Sequence, residues 1–297
     1  MQALMLDAAT VEVVDAMRER DIEPILLKGL ASQRWLWPDG SEEAYGDVDL
    51  LIDPDRFPDA GEVLKGLGFE VMLDDSDLPG QRPHGHHWLR GGVCIDMHRT
   101  IFGAERGERT CWEALSRDRD WIDIAGCRIA APSIPARALH VAVHAIQHPG
   151  SLDDHTRDTL ERAIAVSDHE TWAAAAKLAD EIGANAAFDA GLRAVSAGTA
   201  IAERLDLRFE PTSTVRRSKL GRPAGAHGID QILEAESFRA RSVIALRKMF
   251  PSRRLLEAWS PLARRGALGT AFARIWRPIW VIAQLPHAIS SRRGSDR

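Results

Sequence analysis

Cysteine is scarce in this chain: three residues in 297, at positions 94, 111 and 127, with no paired spacing. That excludes a disulfide framework and a cysteine-built zinc knuckle, and leaves the three as core thiols. Also lacking is a basic start followed by an apolar block. The opening MQALMLDAATVEVVDAMRER carries acids early, does not read as a signal peptide, and leads us to expect a cytoplasmic protein. No apolar run approaches the roughly 20 residues needed to span a bilayer, because Arg274, Arg277 and Pro278 interrupt the best candidate. There is no internal repeat and no low-complexity tract. What remains is an ordinary globular composition, 45% hydrophobic and 27% charged, long enough for one large or two medium domains.

The net charge of -5 is unevenly spread. From Thr212 to Arg297 there are 17 Lys and Arg against 5 Asp and Glu, leaving 21 against 38 for Met1 to Pro211. A basic tail of this kind can meet a polyanion or a membrane surface, or pair with the acidic front of its own chain or of a neighbour. The acidic front speaks against nucleic acid as the partner.

Periodicity predicts a helix over Ala8 to Arg20, a short strand over Ile22 to Leu27, and a turn at Lys28-Gly29. A helix over LASQRWLW, a strand at DVDLLID, a helix over PDRFPDAGEVLKGLG and a strand at FEVML follow. DDSDLPGQRPHG reads as a polar loop. HHWLRGGVCIDMHRTI reads as two strands joined at Gly91-Gly92, and WIDIAGCRIAAPS as a further hairpin. After Pro132 strand signals vanish. Helices are expected over Pro135 to Gln147, Thr156 to Ser167, His169 to Ile182, Ala184 to Leu205, Ile229 to Phe250 and Ala267 to Leu285, with TVRRSKLGRPAGAH as a loop. The expected organisation is therefore α+β: a small mixed β-sheet domain with flanking helices over 1–132, then an all-α domain over 133–297.

The chemistry concentrates in AYGDVDLLIDPDRF. In a strand, alternate side chains share a face, so Asp47 and Asp49 stand together while Val48, Leu50 and Ile52 point the other way. Two carboxylates about 6 to 7 Å apart at the backbone can reach one divalent cation or a close pair. Unneutralised, such charges are costly to bury. In GVCIDMHRTI, Cys94, Asp96 and His98 share one face of another apolar strand. If the two strands are neighbours, Asp47, Asp49 and Asp96 form a hard-oxygen triad that suits Mg²⁺ or Mn²⁺ better than zinc. In the turn ILLKGLAS, Gly29 permits a sharp entry into a helix whose N–H groups can hold phosphate, with the charge of Lys28 beside it.

Strand, Lys-Gly turn, helix, GDVDLLI and then CIDMH on a later strand together resemble the polymerase-β-type nucleotidyltransferase superfamily. More narrowly, they are similar to an uncharacterised nucleotidyltransferase-like family with Lys-Gly, Asp-x-Asp-Leu-Leu and Asp-x-His motifs and a helical C-terminal half. The resemblance implies that Asp47 and Asp49 ligate two metals. It implies that Asp96 ligates the catalytic metal and accepts the acceptor's proton. Lys28 and Gly29, with Ser32, would hold the nucleotide phosphates. The cofactor would be Mg²⁺ or Mn²⁺, with an NTP, ATP first, as co-substrate. The chain departs from the superfamily pattern in lacking a second small residue directly after Gly29, and has Tyr45-Gly46 where the narrower family often has Arg.

Other clusters carry weaker signals. His84, His86 and His87 lie just before the Asp96 strand, so that either one of them, with His98, sits at the mouth of the site and contacts phosphate or acceptor, or the three belong to a polar loop. His140, His144 and His148 form a helical stripe without the Glu of a zinc-protease motif, which favours a structural role. Trp259, Trp276 and Trp280 with nearby arginines read as packing or a subunit interface, so homo-oligomerisation is left open. The sequence therefore predicts transfer of a nucleoside monophosphate from an NTP to a hydroxyl, amine or phosphate of a small-molecule, peptide or protein acceptor. The alternative is a non-catalytic, nucleotide-binding or antitoxin-like partner-binding protein.

Overall fold

The computed structural model describes residues 2–37, 45–72, 84–147, 152–218, 232, 235 and 237–295. Most of the loop expected over 74–85, most of the loop expected over 214–227, the start of the helix expected from Ile229, and His148 lie outside the described residues.

The first elements are α1 (Gln2–Arg18), β1 (Ile25–Leu26), α2 (Leu30–Leu36), β2 (Val48–Leu51), α3 (Phe57–Gly66), β3 (Glu70–Val71), β4 (Gly85–Arg90) and β5 (Val93–His98). They are followed by α4 (Glu108–Arg117), β6 (Arg119–Ile124) and β7 (Cys127–Pro132). One seven-stranded mixed sheet results, in the order β3-β4-β5-β2-β1-β7-β6. Both hairpins expected from the sequence form, β4 with β5 across Gly91-Gly92 and β6 with β7. The central strand β2 runs parallel to β5 and antiparallel to β1. All four of its residues are buried, as expected of a strand covered on both faces.

Helix α4 was not anticipated. Its buried residues Cys111, Ala114 and Leu115 follow the i, i+3, i+4 rhythm of an amphipathic helix. The preceding glycines at 103 and 107 and a run of charges disguise it as loop. The strand over Ile22 to Leu27 shrinks to a two-residue ladder at Ile25–Leu26, where both residues pair with β2 and Ile25 also pairs with β7.

Beyond Pro132 come α5 (Ile134–His144), α6 (Asp154–Val166), α7 (His169–Ile182), α8 (Asn185–Leu192), α9 (Ser196–Arg204) and α10 (Ser213–Ser218). The single helix expected over Ala184 to Leu205 is two. Gly191 lies so close to α5 that a Cβ would sit 2.0 Å from the Ala142 carbonyl oxygen, and one at Gly198 would sit 2.1 Å from that of Leu192. Only glycine tolerates either approach, and the chain bends between them.

Chain contacts divide the molecule into two compact units, Met1–Glu70 with His84–Leu220 and Val71–Pro83 with Gly221–Arg297. The boundary expected between 132 and 133 falls inside the first unit. One apolar core there joins Ile25, Leu27 and Leu51 of the sheet region to Leu139, Trp172 and Phe188 of the helices. The change of composition at Pro132 thus marks a second layer on the same core. The second unit contains α11 (Phe238–Met249), α12 (Arg253–Trp259), a 3₁₀ turn (Ala263–Arg265) and α13 (Ala267–Ser295). Helices α10 and α12 were not anticipated either, both being short.

Candidate active site

The parallel ladder between β2 and β5 places Asp49 directly opposite Asp96. Because strand side chains alternate, Asp96 and His98 share a face of β5. His98 Nε2 stands 2.9 Å from Asp49 Oδ1 and 3.8 Å from Asp96 Oδ2. Ligand atoms of Asp49, Asp96 and His98 all lie within 4.8 Å of one another. Asp49 is 1% exposed, and its second oxygen, Oδ2, is buried with no hydrogen-bond partner among the described residues.

Two cations reach the carboxylates from adjoining strands. The Leu27 amide donates to the Asp49 carbonyl at 2.9 Å, which sets the end of β1 alongside β2. Lys28 follows, with its ammonium 3.2 Å from Asp49 Oδ1. On the other side, the β4–β5 hairpin pairs His87 with Asp96, and His87 Nδ1 forms an ion pair with Asp96 Oδ1. Burial alone would push the Asp49 carboxyl up. The ammonium of Lys28 and the hydrogen bond from His98 overcome it and hold the carboxyl well below the usual carboxylate range. The hydrogen bond to Asp96, helped by Cys94, lifts His87 to about 10 against the opposing effect of burial.

Asp47 sits one residue ahead of β2 and is partly exposed. Burial and the neighbouring charge of Asp49 raise its carboxyl, so it feels the cluster without belonging to the close group. Gly29 turns the chain at φ 65° into α2, and a Cβ there would lie 3.4 Å from the Tyr45 ring. Ser32 is buried in the first turn of α2, its amide bonded to the Gly29 carbonyl at 3.1 Å.

The three neighbouring histidines separate. His84 stacks on His98 with ring centres 5.3 Å apart and bonds the Gln147 side-chain amide at 3.0 Å. Its pKa is brought down to about 4, by burial first and by the charge of His98 second. His86 packs edge-on against Phe57 and pairs with Arg99. Only His87 touches a carboxylate of the group. From the helical layer, α5 contributes His140, buried and kept neutral by burial and by the nearby charge of Lys28. Its stripe partner His144 meets it edge-on at 6.2 Å.

The donor set fits a divalent cation: two adjacent carboxylates, one of them with a buried oxygen lacking a partner among the described residues, with Asp47 at the rim and His98 holding Asp49. The same carboxylates are neutralised by Lys28 and His87, while His98 hydrogen-bonds Asp49. Buried carboxylates without such partners would be costly.

A profile of the family described as uncharacterised nucleotidyltransferase matches residues 1–197. The chain belongs to this nucleotidyltransferase family, and the mixed sheet with its Asp-x-Asp and Asp-x-His strands is the fold that the family resemblance implied. No curated protein matches it. Among solved structures, the antibiotic-resistance factor ANT(2'')-Ia in solution is 18% identical, with 59% of this chain and 93% of that chain covered and a TM-score of 0.43. Its crystal structure with adenylyl-2''-tobramycin is 16% identical, covering 59% of this chain and 97% of that one, with a TM-score of 0.44. An antigenic nucleotidyltransferase-like protein from Paracoccidioides brasiliensis is 15% identical, covering 71% and 95%, with a TM-score of 0.36. No helix among the described residues is long and apolar enough to cross a membrane.

Proposed function

We propose that this protein transfers a nucleoside monophosphate from an NTP, ATP first, to a hydroxyl, amine or phosphate of an acceptor. The observation that carries the reading is the register of β2 against β5, which sets Asp49 and Asp96 side by side beneath the Lys28-Gly29 turn. Asp49 and Asp96, with Asp47 at the rim, would hold Mg²⁺ or Mn²⁺. Bound there, such an ion supplies charge neutralisation for the triphosphate and acidifies an acceptor hydroxyl.

The chain's own residues divide the remaining work. Lys28 leaves Asp49 for the phosphates, and the Gly29 turn and Ser32 border the same space. The acceptor's lone pair forms a bond to the α-phosphorus as the bond to the bridging oxygen breaks, and pyrophosphate departs. The proton of a hydroxyl or amine acceptor passes to Asp96. His98 holds Asp49 in place through its Nε2, and His84 stacked on it keeps that ring from turning. The helical layer behind the sheet narrows the site from the α5 side with His140.

Calorimetric titration with ATP, with and without Mg²⁺, tests this reading when run beside an Asp47→Asn/Asp49→Asn variant. Magnesium-dependent binding lost in the variant is the expected result. Failure to bind any NTP would remove the transferase reading and favour a partner-binding scaffold.

A further inference from the structure

Helix α2 is too short to hold itself. Its 7 residues lie well below the length at which an isolated helix persists in water. Among the described residues no side chain caps its start at Gly29. Ala31 and Leu36 are fully buried and Ser32 is buried beside them, but apolar burial is non-directional and leaves so short a helix free to slide or roll. Whatever fixes α2 also fixes the Lys28-Gly29 turn, which runs straight into it.

Two arginines of the helical layer reach across to do so. Arg137, near the start of α5, is buried and directs its fork to three acceptors. Its Nε donates to the Pro132 carbonyl at 2.8 Å, Nη1 to the Ala31 carbonyl at 3.2 Å, and Nη2 to Asp120 Oδ2 at 2.9 Å. The first turn of α2 is thereby tied to the adjoining ends of β7 and β6. Arg162, on α6, donates from Nε to the Leu36 carbonyl at 2.6 Å and lies over the Trp37 ring at 5.0 Å. Leu36 is the last residue of α2, where carbonyls have no partner within the helix. The two gripped carbonyls are five residues apart, about 7.5 Å along the axis. One guanidinium thus holds each end.

We propose that Arg137 and Arg162 are positioning residues that set the Lys28-Gly29 turn for the nucleotide through the backbone of α2. The proposal rests on the transferase reading above and gives the helical layer a part in it. Neither arginine belongs to the carboxylate group, so the metal ligands on β2 and β5 do not depend on them. A guanidinium suits the task because its planar fork serves several carbonyls in a fixed geometry, whereas an ammonium is a single point charge on a flexible stem. Precision matters at this turn, since a displacement of about 1 Å in a positioning element can cost about 100-fold in rate.

The test is hydrogen–deuterium exchange of the full chain, read over residues 29–37 and over β2 and β5, beside calorimetric titration of Mn²⁺ and of ATP with Mg²⁺. The proteins compared are the unaltered chain, Arg137→Lys, Arg162→Met and Arg162→Lys. In Arg137→Lys and Arg162→Met we expect exchange over 29–37 to rise by about tenfold or more, as for the loss of one charge-assisted hydrogen bond. Exchange in β2 and β5 and the affinity for Mn²⁺ stay unchanged, while ATP affinity falls by about tenfold. Arg162→Lys, which still donates to Leu36, recovers part of both effects. Arg162 is half-buried at the surface, so its variants give the reading even where Arg137→Lys does not fold. Exchange over 29–37 equal to that of the unaltered chain would overturn the proposal, as would faster exchange with ATP affinity unchanged. So would Mn²⁺ and ATP affinities falling together as β2 and β5 loosen, the result of a merely structural pair. An unaltered chain that binds Mn²⁺ but no NTP would overturn the transferase reading instead, and exchange over 29–37 would then decide the clamp by itself.

Discussion

Asp49 and Asp96 are register partners on two parallel strands, and one imidazole nitrogen of His98 lies within 4 Å of both. Lys28 and His87 neutralise the two carboxylates, yet Asp49 still carries a buried oxygen without a partner among the described residues, which an entering cation would take. Asp49→Asn removes the charge while keeping the shape. The expected outcome is loss of thermal stabilisation by Mn²⁺ and a fall in nucleotidyl transfer of at least about 100-fold, the scale on which even outer partners of a metal site act. A shift in melting temperature with Mn²⁺ equal to that of the unaltered protein would contradict the assignment.

His98 acts on Asp49 from behind. His98→Ala takes away the 2.9 Å hydrogen bond and leaves Asp49 free to turn towards Lys28. Metal affinity should drop by roughly 10- to 100-fold, the usual penalty for losing a group that orients a ligand. His98→Gln, which can still donate to Asp49, should recover part of it. Calorimetric titration of Mn²⁺ into the three proteins checks the order.

Much of this site was legible in the sequence because short-range geometry dictates it. The Asp-x-Asp and Asp-x-His alternation told which residues share a face. Their being neighbours needed the ladder between β2 and β5, which no local pattern encodes. The partner of Asp96 was nearly readable: a two-residue turn at Gly91-Gly92 pairs 90 with 93, and counting back pairs 87 with 96. His87 could therefore have been separated from His84 and His86. Lys28 was expected on phosphate and stands on Asp49, because the carboxylate is the nearest anion to it in this structure. The helical half shows a different limit. Its composition points to a helical domain from residue 133, whereas the joining of Leu139, Trp172 and Phe188 with Ile25, Leu27 and Leu51 in one core is a property of packing, which composition does not carry.

The turn at Gly29 constrains the site by sterics alone. With φ at 65° and the Tyr45 ring 3.4 Å from where a Cβ would stand, an alanine there is strained in the backbone before it touches anything. Gly29→Ala should cost about 1–3 kcal/mol of stability, the range for a residue forced into a sparsely populated backbone region. It should also displace Lys28 and weaken ATP binding. Urea unfolding gives the first quantity and calorimetry the second. A neutral effect on both would mean that the turn relaxes without using the space above β2.

Stability should fall as the medium becomes acid before ordinary carboxylates titrate. His84 is brought to about 4 by burial and by the charge of His98, and His140 is also pushed well down. In the unfolded chain both return to about 6.5. Between these values the unfolded state binds more protons than the folded one, so the stabilisation is fully present above pH 6.5 and is lost as pH falls towards 4. For His84 alone the loss is at most about 3 kcal/mol at pH 4. His87 works the other way only near neutrality: its folded value is raised, to about 10, so its stabilisation is fully present below about pH 6.5 and is lost progressively as pH rises from there towards 10. Urea unfolding of the metal-free protein at pH 6, 5.5, 5 and 4.5 should show a progressive decline. His84→Gln, which keeps an amide in reach of Gln147, should flatten part of it, and an unchanged slope in that variant would move the acid sensitivity to His140.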